Sequence, residues 1–427
     1  MRERLAAHGH RGLLLLIVLV AFLARTVFLW RAVFSGGQVN YQDSDAWYHM
    51  RLIDNLSHNY PHRALIDPYL ATDAPVVAVP LLFDLFVGGV AWLIGLGAPS
   101  PRTVEVVGAI APPILGALTT LPVYLIGQRL FGRRAGLLAA GLLAIEPGQF
   151  LARSVLGFTD HHVAEALLTS LTILAAVSAL QAGTARERLL RGVLTGVALS
   201  SYLLAWSGGA LLVFVLCAWG VVQYMLDDAR REPEDRAAVV LLPALAVALV
   251  TLATLQDRSQ WRFEIQMTAV VAALGVIGAL ALGRRGLRAV GAPPGALAAG
   301  LAVAVVAGVV LFRIGAPELT ARIMTDLQRF RPSSASTGFT VSEVRPLLMM
   351  TGAVSVVVPF AVFGPSFFIA LGALAWLAWR AARTALPPLV LVVTWSALMF
   401  LATLGQNRFG YYLAMNLALL TGWACDL

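Results

Sequence analysis

A chain of 427 residues that is 59% hydrophobic and only 13% charged, with a mean hydropathy of +0.79, is not a soluble globular domain, in which about a quarter of the residues carry charge. The formal charge of +8 rests on 31 basic residues, all of them Arg. They gather in short segments between apolar runs, which is the pattern of cytoplasmic loops and excludes a nucleic-acid surface. Cys217 and Cys425 both lie in apolar runs and make neither a disulfide framework nor a thiolate metal site.

The N-terminal stretch MRERLAAHGHRGLLLLIVLVAFLA starts basic and turns apolar, but no small-residue cleavage site follows. It is expected to be an uncleaved first span, with residues 1–34 forming a cytoplasmic start and that crossing. Residues 35–103 form a first outer loop, opening with SGGQVNYQDSDAWYHMR. Inside it, the run 76–97 is apolar yet holds Asp84, and reading it as an outer helix rather than a span keeps Arg129, Arg133 and Arg134 inside. Residues 104–313 are expected to form a transmembrane bundle, with spans at 104–127, 135–152, 163–181, 192–206, 209–225, 237–255, 264–283 and 296–313. A flexible outer loop over 314–350 carries the Ser- and Gly-rich patch RPSSASTGFT, preceded by the amphipathic PELTARIMTDLQRF. Late spans at 363–382, 386–404 and 409–424 fall within 351–427. The fold class is therefore all-α, a polytopic bundle of about twelve crossings with a cytoplasmic C-terminus.

Three acidic groups fall on the outer face: Asp43, Asp45, His49 and Arg51 in DSDAWYHMR; Asp160, His161, His162 and Glu165 in TDHHVAE; and Glu343 in TVSEVRP. Ionisable groups beside apolar spans are costly and mark function by default. Gathered carboxylates repel one another unless a cation neutralises them; oxygen ligands suit Mg²⁺ or Mn²⁺, and imidazole moves the preference towards Mn²⁺. Asp160 precedes a helix expected to start near Val163, in a loop that turns Asp160 and His162 to one side and His161 elsewhere. Simple capping of that helix by Asp160 is the competing reading. Trp47 and Tyr48 also fit an interfacial aromatic belt, and Arg408 fits either snorkelling or an anionic partner.

Together these segments resemble the catalytic subunit of membrane oligosaccharyltransferases, of the archaeal type in particular. DSDAWYHMR resembles the family's first outer-loop motif and SVLGFTDHHVAE its second. TVSE is similar to the Glu-bearing motif of the late outer loop, LLAWSGGALL to a Trp-Gly-Gly segment, and QNRFGYYLAMNLALL to a late Arg-bearing segment. The resemblance implies a GT-C-type membrane glycosyltransferase. Such an enzyme moves a preassembled glycan from a polyprenyl (di)phosphate lipid to Asn of a secreted polypeptide, at the outer face of a prokaryotic cell membrane. It implies Asp45, Asp160 and His162 as ligands of Mn²⁺ or Mg²⁺, with His161 and Asp43 behind them. Asp45 and Glu343 would hold the acceptor amide, Arg408 the donor pyrophosphate, and Trp47, Tyr48 and Trp206 the walls of the acceptor site. The family's Trp-Trp-Asp motif, which sits in a C-terminal soluble domain, does not occur here, and that domain is expected to be missing. Nor does a His follow DPY in the first outer loop, as it often does in archaeal relatives; the region reads DPYLATDAPVVAVP, with Asp73. Three alternatives compete: a transferase using a single-sugar polyprenyl phosphate, a cation transporter, and a non-catalytic chain that only binds donor.

Overall fold

A computed structural model describes residues 2–69, 80–256, 263–315, 317–318, 320–321, 324, 342–350 and 353–427. The patch RPSSASTGFT, most of the amphipathic stretch before it, and Asp73 lie outside those residues.

Helix dominates. In chain order come α1 (Arg2–Thr26), α2 (Trp30–Val33), α3 (Ser44–His58), α4 (Leu81–Ile94), α5 (Pro101–Leu118), α6 (Thr120–Phe131), α7 (Arg133–Ile145) and α8 (Gln149–Ala152). Then follow α9 (His162–Leu180), α10 (Ala185–Ala205), α11 (Ala210–Ala229), α12 (Arg236–Gln256), α13 (Glu264–Ala289) and α14 (Ala296–Gly315). After the outer loop come α15 (Val357–Phe363), α16 (Ser366–Thr384), α17 (Pro387–Gly405) and α18 (Gly410–Ala424). A short antiparallel ribbon pairs Met349 with Val354 and Met350 with Ala353.

Local chemistry sets the helix ends. Ser100 caps α5 by accepting the N–H of Thr103 at 3.1 Å, with Pro101 in the first helical position. Thr184 caps α10 through the N–H of Glu187 at 3.2 Å. Among the described residues, seven helices are long and apolar enough to cross a membrane, and eight if α15 and α16, bent by 99°, make one span. This is the build of a multi-pass membrane protein, though fewer helices meet the length and hydropathy demands of a crossing than the expected twelve or so. Helix α4, at 14 residues, is shorter than a usual crossing.

The largest core runs from α6 to α18 and buries Trp219 and Trp395 completely. A smaller core ties the outer segment to the bundle: Ala46, Met50 and Ile53 of α3 and Phe83 and Val87 of α4 pack with Ala109 of α5, Leu156 and Val163. The start of α9 therefore sits where the two cores meet.

Helix α5 contains Pro112 and Pro113. Each lacks the N–H that would bind the carbonyl four residues earlier, so the carbonyls of Gly108 and Ala109 are free to bond outside the helix. Both are taken by one loop: Gly157 donates its N–H to Ala109 at 3.0 Å, and the Thr159 hydroxyl donates to Gly108 at 2.9 Å. Gly108 packs directly against the end of the Met50 side chain of α3, which a Cβ there would have to displace. The same loop is held from two other sides. Buried Arg25 donates to the Ser154 hydroxyl at 2.8 Å and to the Ala144 carbonyl at 2.8 Å. Gln42, just before the Asp-Ser-Asp triplet, donates its N–H to the Gly157 carbonyl at 3.1 Å. Gly157 itself has φ of +81°, a conformation that a side chain disfavours.

Candidate active site

The loop so anchored delivers Asp160 to the N-terminus of α9. Asp160 is 1% exposed, and its carboxylate accepts the N–H of its neighbour His161 at 2.6 Å. His161, at the cap position of α9, makes no side-chain cap bond; the Asp160 carboxylate takes the backbone N–H there and also faces the imidazoles around it. Three imidazoles surround the carboxylate. His49 Nε2 lies 3.2 Å from Asp160 Oδ1, His161 Nδ1 lies 2.5 Å from the same oxygen, and His162 Nε2 lies 3.3 Å from Oδ2.

Each ring has a carboxylate at its other nitrogen. Asp84 lies 2.6 Å from His49 Nδ1. Buried Glu165 lies 3.3 Å from His161 Nε2 and 3.0 Å from His162 Nδ1. Tyr411 donates its hydroxyl to Glu165 at 2.6 Å, Tyr412 donates to the same oxygen, and Tyr202 lies 2.8 Å from the Tyr412 hydroxyl. Two ligand groups result: His49, Asp160 and His161, and His161, His162 and Glu165, with each group's donor atoms within 4.8 Å of one another.

The charges support one another. Burial favours a neutral Asp160, but His161 and His162 outweigh it and hold its carboxyl well below the usual range. Burial disfavours a charged His49, yet Asp84 and Asp160 push it up to about 10. His161 is raised in the same way, burial being outweighed by Asp160 and then Glu165.

His162 faces Asp160 as expected. His161 corrects the sequence reading, since it faces the same carboxylate instead of pointing elsewhere. Asp45 lies exposed in the first turn of α3 and belongs to neither ligand group, and Asp43 sits half-buried at the cap position of that helix. Trp47 is exposed, with its ring edge-on to Tyr41, and Tyr48 is half-buried. Trp206 ends α10 with its ring 5.9 Å from that of Tyr412 and 6.2 Å from that of Tyr202.

Glu343 occupies a 3₁₀ turn, Ser342–Val344, and forms an ion pair with Arg153. Arg153 in turn lies over the Tyr411 ring, 5.8 Å from its centroid. Arg408 occupies a second 3₁₀ turn, Asn407–Phe409, half-buried, with its Nε bonded to nothing among the described residues. The two turns are stitched together, because Asn407 donates its N–H to the Arg345 carbonyl at 2.8 Å. Asp160, Glu343 and Arg408 thus reach one neighbourhood through Arg153, Tyr411 and this backbone bond.

Sequence reasoning gave no role to Asp84, Arg153, Tyr411 or Tyr412. It named His49 and Glu165 without one, although Glu165 stands three and four residues after the two His, where helix neighbours meet.

A profile of the family described as Oligosaccharyl transferase STT3, N-terminal, matches residues 13–425. Dolichyl-phosphooligosaccharide-protein glycotransferase 3 of Archaeoglobus fulgidus is 29% identical over 438 residues, which cover 95% of this chain and 49% of that protein. Dolichyl-monophosphooligosaccharide–protein glycotransferase AglB of Haloferax volcanii is 32% identical over 273 residues, 58% of this chain and 26% of that one. The solved archaeal oligosaccharyltransferase AglB from Archaeoglobus fulgidus, in complex with an inhibitory peptide and a dolichol-phosphate, matches with a TM-score of 0.85 at 25% identity, over 99% of this chain and 50% of that one. The chain thus spans about half the length of the first of these relatives and less of the second.

Fold and site together define a multi-pass membrane protein with the architecture of an oligosaccharyltransferase. The chain belongs to the STT3 oligosaccharyltransferase family.

Proposed function

We propose that this chain transfers a preassembled glycan from a polyprenyl (di)phosphate lipid to Asn of a secreted polypeptide at the outer face of the cell membrane. The observation that carries this reading is the gathering of Asp160, its imidazoles, Glu343 and Arg408 from four separate stretches of chain. The archaeal relative solved with an inhibitory peptide and a dolichol-phosphate supports the donor and acceptor classes. About twelve crossings and a cytoplasmic C-terminus remain the topology that the Arg distribution favours.

The donor set fits a divalent cation. Carboxylate oxygens mixed with imidazole nitrogens, in groups within 4.8 Å, suit Mn²⁺ or Mg²⁺, and the imidazoles favour Mn²⁺. Asp160 and His162 would hold it, with Asp45, in the first turn of α3, as the third ligand. When bound, it would supply Lewis acidity to the departing phosphate.

The other steps fall to the protein's own groups. The amide nitrogen of Asn is a poor nucleophile. Asp45 and Glu343 accept hydrogen bonds from its NH₂ group and hold it against the anomeric carbon. As the nitrogen–carbon bond forms and the bond from carbon to phosphate oxygen breaks, one N–H proton passes to a carboxylate. Arg408 binds the leaving phosphate, and a guanidinium matches that group in two places at once. Arg153, which carries Glu343 in the absence of acceptor, gives it up to the amide.

Incubating the purified protein with a polyprenyl-pyrophosphate glycan and an Asn-Val-Thr peptide tests the reading. Mass spectrometry should find glycan on the Asn. Peptide left bare while the donor lipid turns over by another route would contradict it.

A further inference from the structure

We propose that His49, backed by Asp84, is a nitrogen ligand of the cation at Asp160. The proposal rests on the reading that a divalent cation works at this site, and it adds to that reading a residue from a different element.

His49 is rooted in α3, Asp84 in α4 and Asp160 in the loop before α9. All three are about 2% exposed or less. Asp84 lies 2.6 Å from His49 Nδ1. A carboxylate accepts and cannot donate, so the ring hydrogen of a neutral His49 sits on Nδ1. That leaves Nε2 with a bare lone pair. Nε2 points at Asp160 Oδ1, 3.2 Å away, and at His161 Nδ1, 3.1 Å away. His161 has a carboxylate at each ring nitrogen, Asp160 Oδ1 2.5 Å from Nδ1 and Glu165 3.3 Å from Nε2. In neutral His49, therefore, the Nε2 lone pair and a carboxylate oxygen meet at 3.2 Å with no hydrogen between them. Two acceptors in contact repel, so a cation must sit between them: a proton on His49 when no metal is bound, and the metal ion when it displaces that proton.

The spacing fits such a cation. Ligand atoms about 2.1 Å from a metal at right angles stand about 3 Å apart, close to the 3.1 and 3.2 Å separations of His49 Nε2 from its two neighbours. A carboxylate on the far nitrogen of a metal-bound His is the common supporting arrangement, because it fixes the tautomer and raises the basicity of the bound nitrogen. The second carboxylate oxygen of Asp84, Oδ2, is buried without a hydrogen-bond partner among the described residues. Phe83 meets the His49 ring edge-on at 5.5 Å and restricts its tilt.

Mn²⁺ binding to the full chain in detergent, read by the loss of the free-ion EPR signal, tests this with no glycan or peptide present. It therefore answers even if the transfer reading fails. Asp84→Asn should weaken Mn²⁺ affinity about 10–100-fold, the usual effect of losing an outer carboxylate, and His49→Gln should weaken it at least as much. Pulsed EPR of the bound ion should show ¹⁴N coupling that falls in His49→Gln. Asp84→Asn keeps the ring in place and so serves if His49→Gln folds poorly. Wild-type Mn²⁺ affinity in both variants, unchanged ¹⁴N coupling in His49→Gln, or no Mn²⁺ bound by the parent chain would each overturn the assignment.

Discussion

Thr159 donates its hydroxyl, at 2.9 Å, to the carbonyl of Gly108, the oxygen that Pro112 leaves unbonded within its own helix. A helix defect in α5 thereby becomes the anchor of the residue next to Asp160. Thr159→Val should leave a buried carbonyl unpaired, costing about 1–3 kcal/mol, whereas Thr159→Ser keeps the donor. Thermal melts of the two variants test this; equal stability would remove the anchor from the account. Pro112→Ala restores a competing N–H and should loosen the same loop, seen as faster hydrogen exchange over 157–161.

Arg153 and Glu343 form an ion pair with 38% of the Glu343 side chain exposed. Because solvent screens such a pair, its contribution to overall stability is about 1 kcal/mol or less. Its role is local. Arg153→Gln should speed hydrogen exchange at 342–345 in the acceptor-free protein while leaving the melting temperature within a degree or two. Unchanged exchange would mean that the Asn407–Arg345 backbone bond alone holds the turn.

Arg408 separates two explanations. As a two-point ligand for phosphate it tolerates Lys badly, and Arg408→Lys should weaken donor binding about tenfold, as expected for one charged hydrogen bond worth about 1.5 kcal/mol. If the side chain merely snorkels, Lys serves equally well. Titration with a short-chain polyprenyl pyrophosphate gives the answer.

Glu165 depends on the hydroxyls of Tyr411 and Tyr412. Tyr412→Phe also breaks the contact with Tyr202, so it should destabilise more than Tyr411→Phe, each by about 1–3 kcal/mol. Chemical denaturation in detergent would rank them, and the reverse order would mean that Tyr202 contributes nothing through this chain of hydroxyls.

Much of this was legible in the sequence. The apolar run expected at 163–181 is α9 over 162–180, and that at 386–404 is α17 over 387–405. Helix α10 starts at Ala185, earlier than the expected 192, because Thr184 and Glu187 three residues apart begin it despite the Arg-rich first turns. Asp160 and His162 were visible because a charged tripeptide stands beside an apolar span. Arg153, Tyr411 and Asp84 were not: each looks ordinary in its own stretch and gains meaning only from a partner reached by folding. Where Pro112 and Pro113 would send their freed carbonyls was equally hidden, since periodicity shows a defect and not what fills it.

The most direct measurement of the central claim is metal-dependent transfer at Asp160. The purified protein, stripped with EDTA, is assayed for glycan transfer to an Asn-containing peptide before and after Mn²⁺ is restored, beside Asp160→Ala. The account predicts no transfer after chelation, recovery with Mn²⁺ in the parent, and no recovery in the variant, which should still insert and melt cooperatively. Full transfer by Asp160→Ala in the presence of EDTA would contradict it.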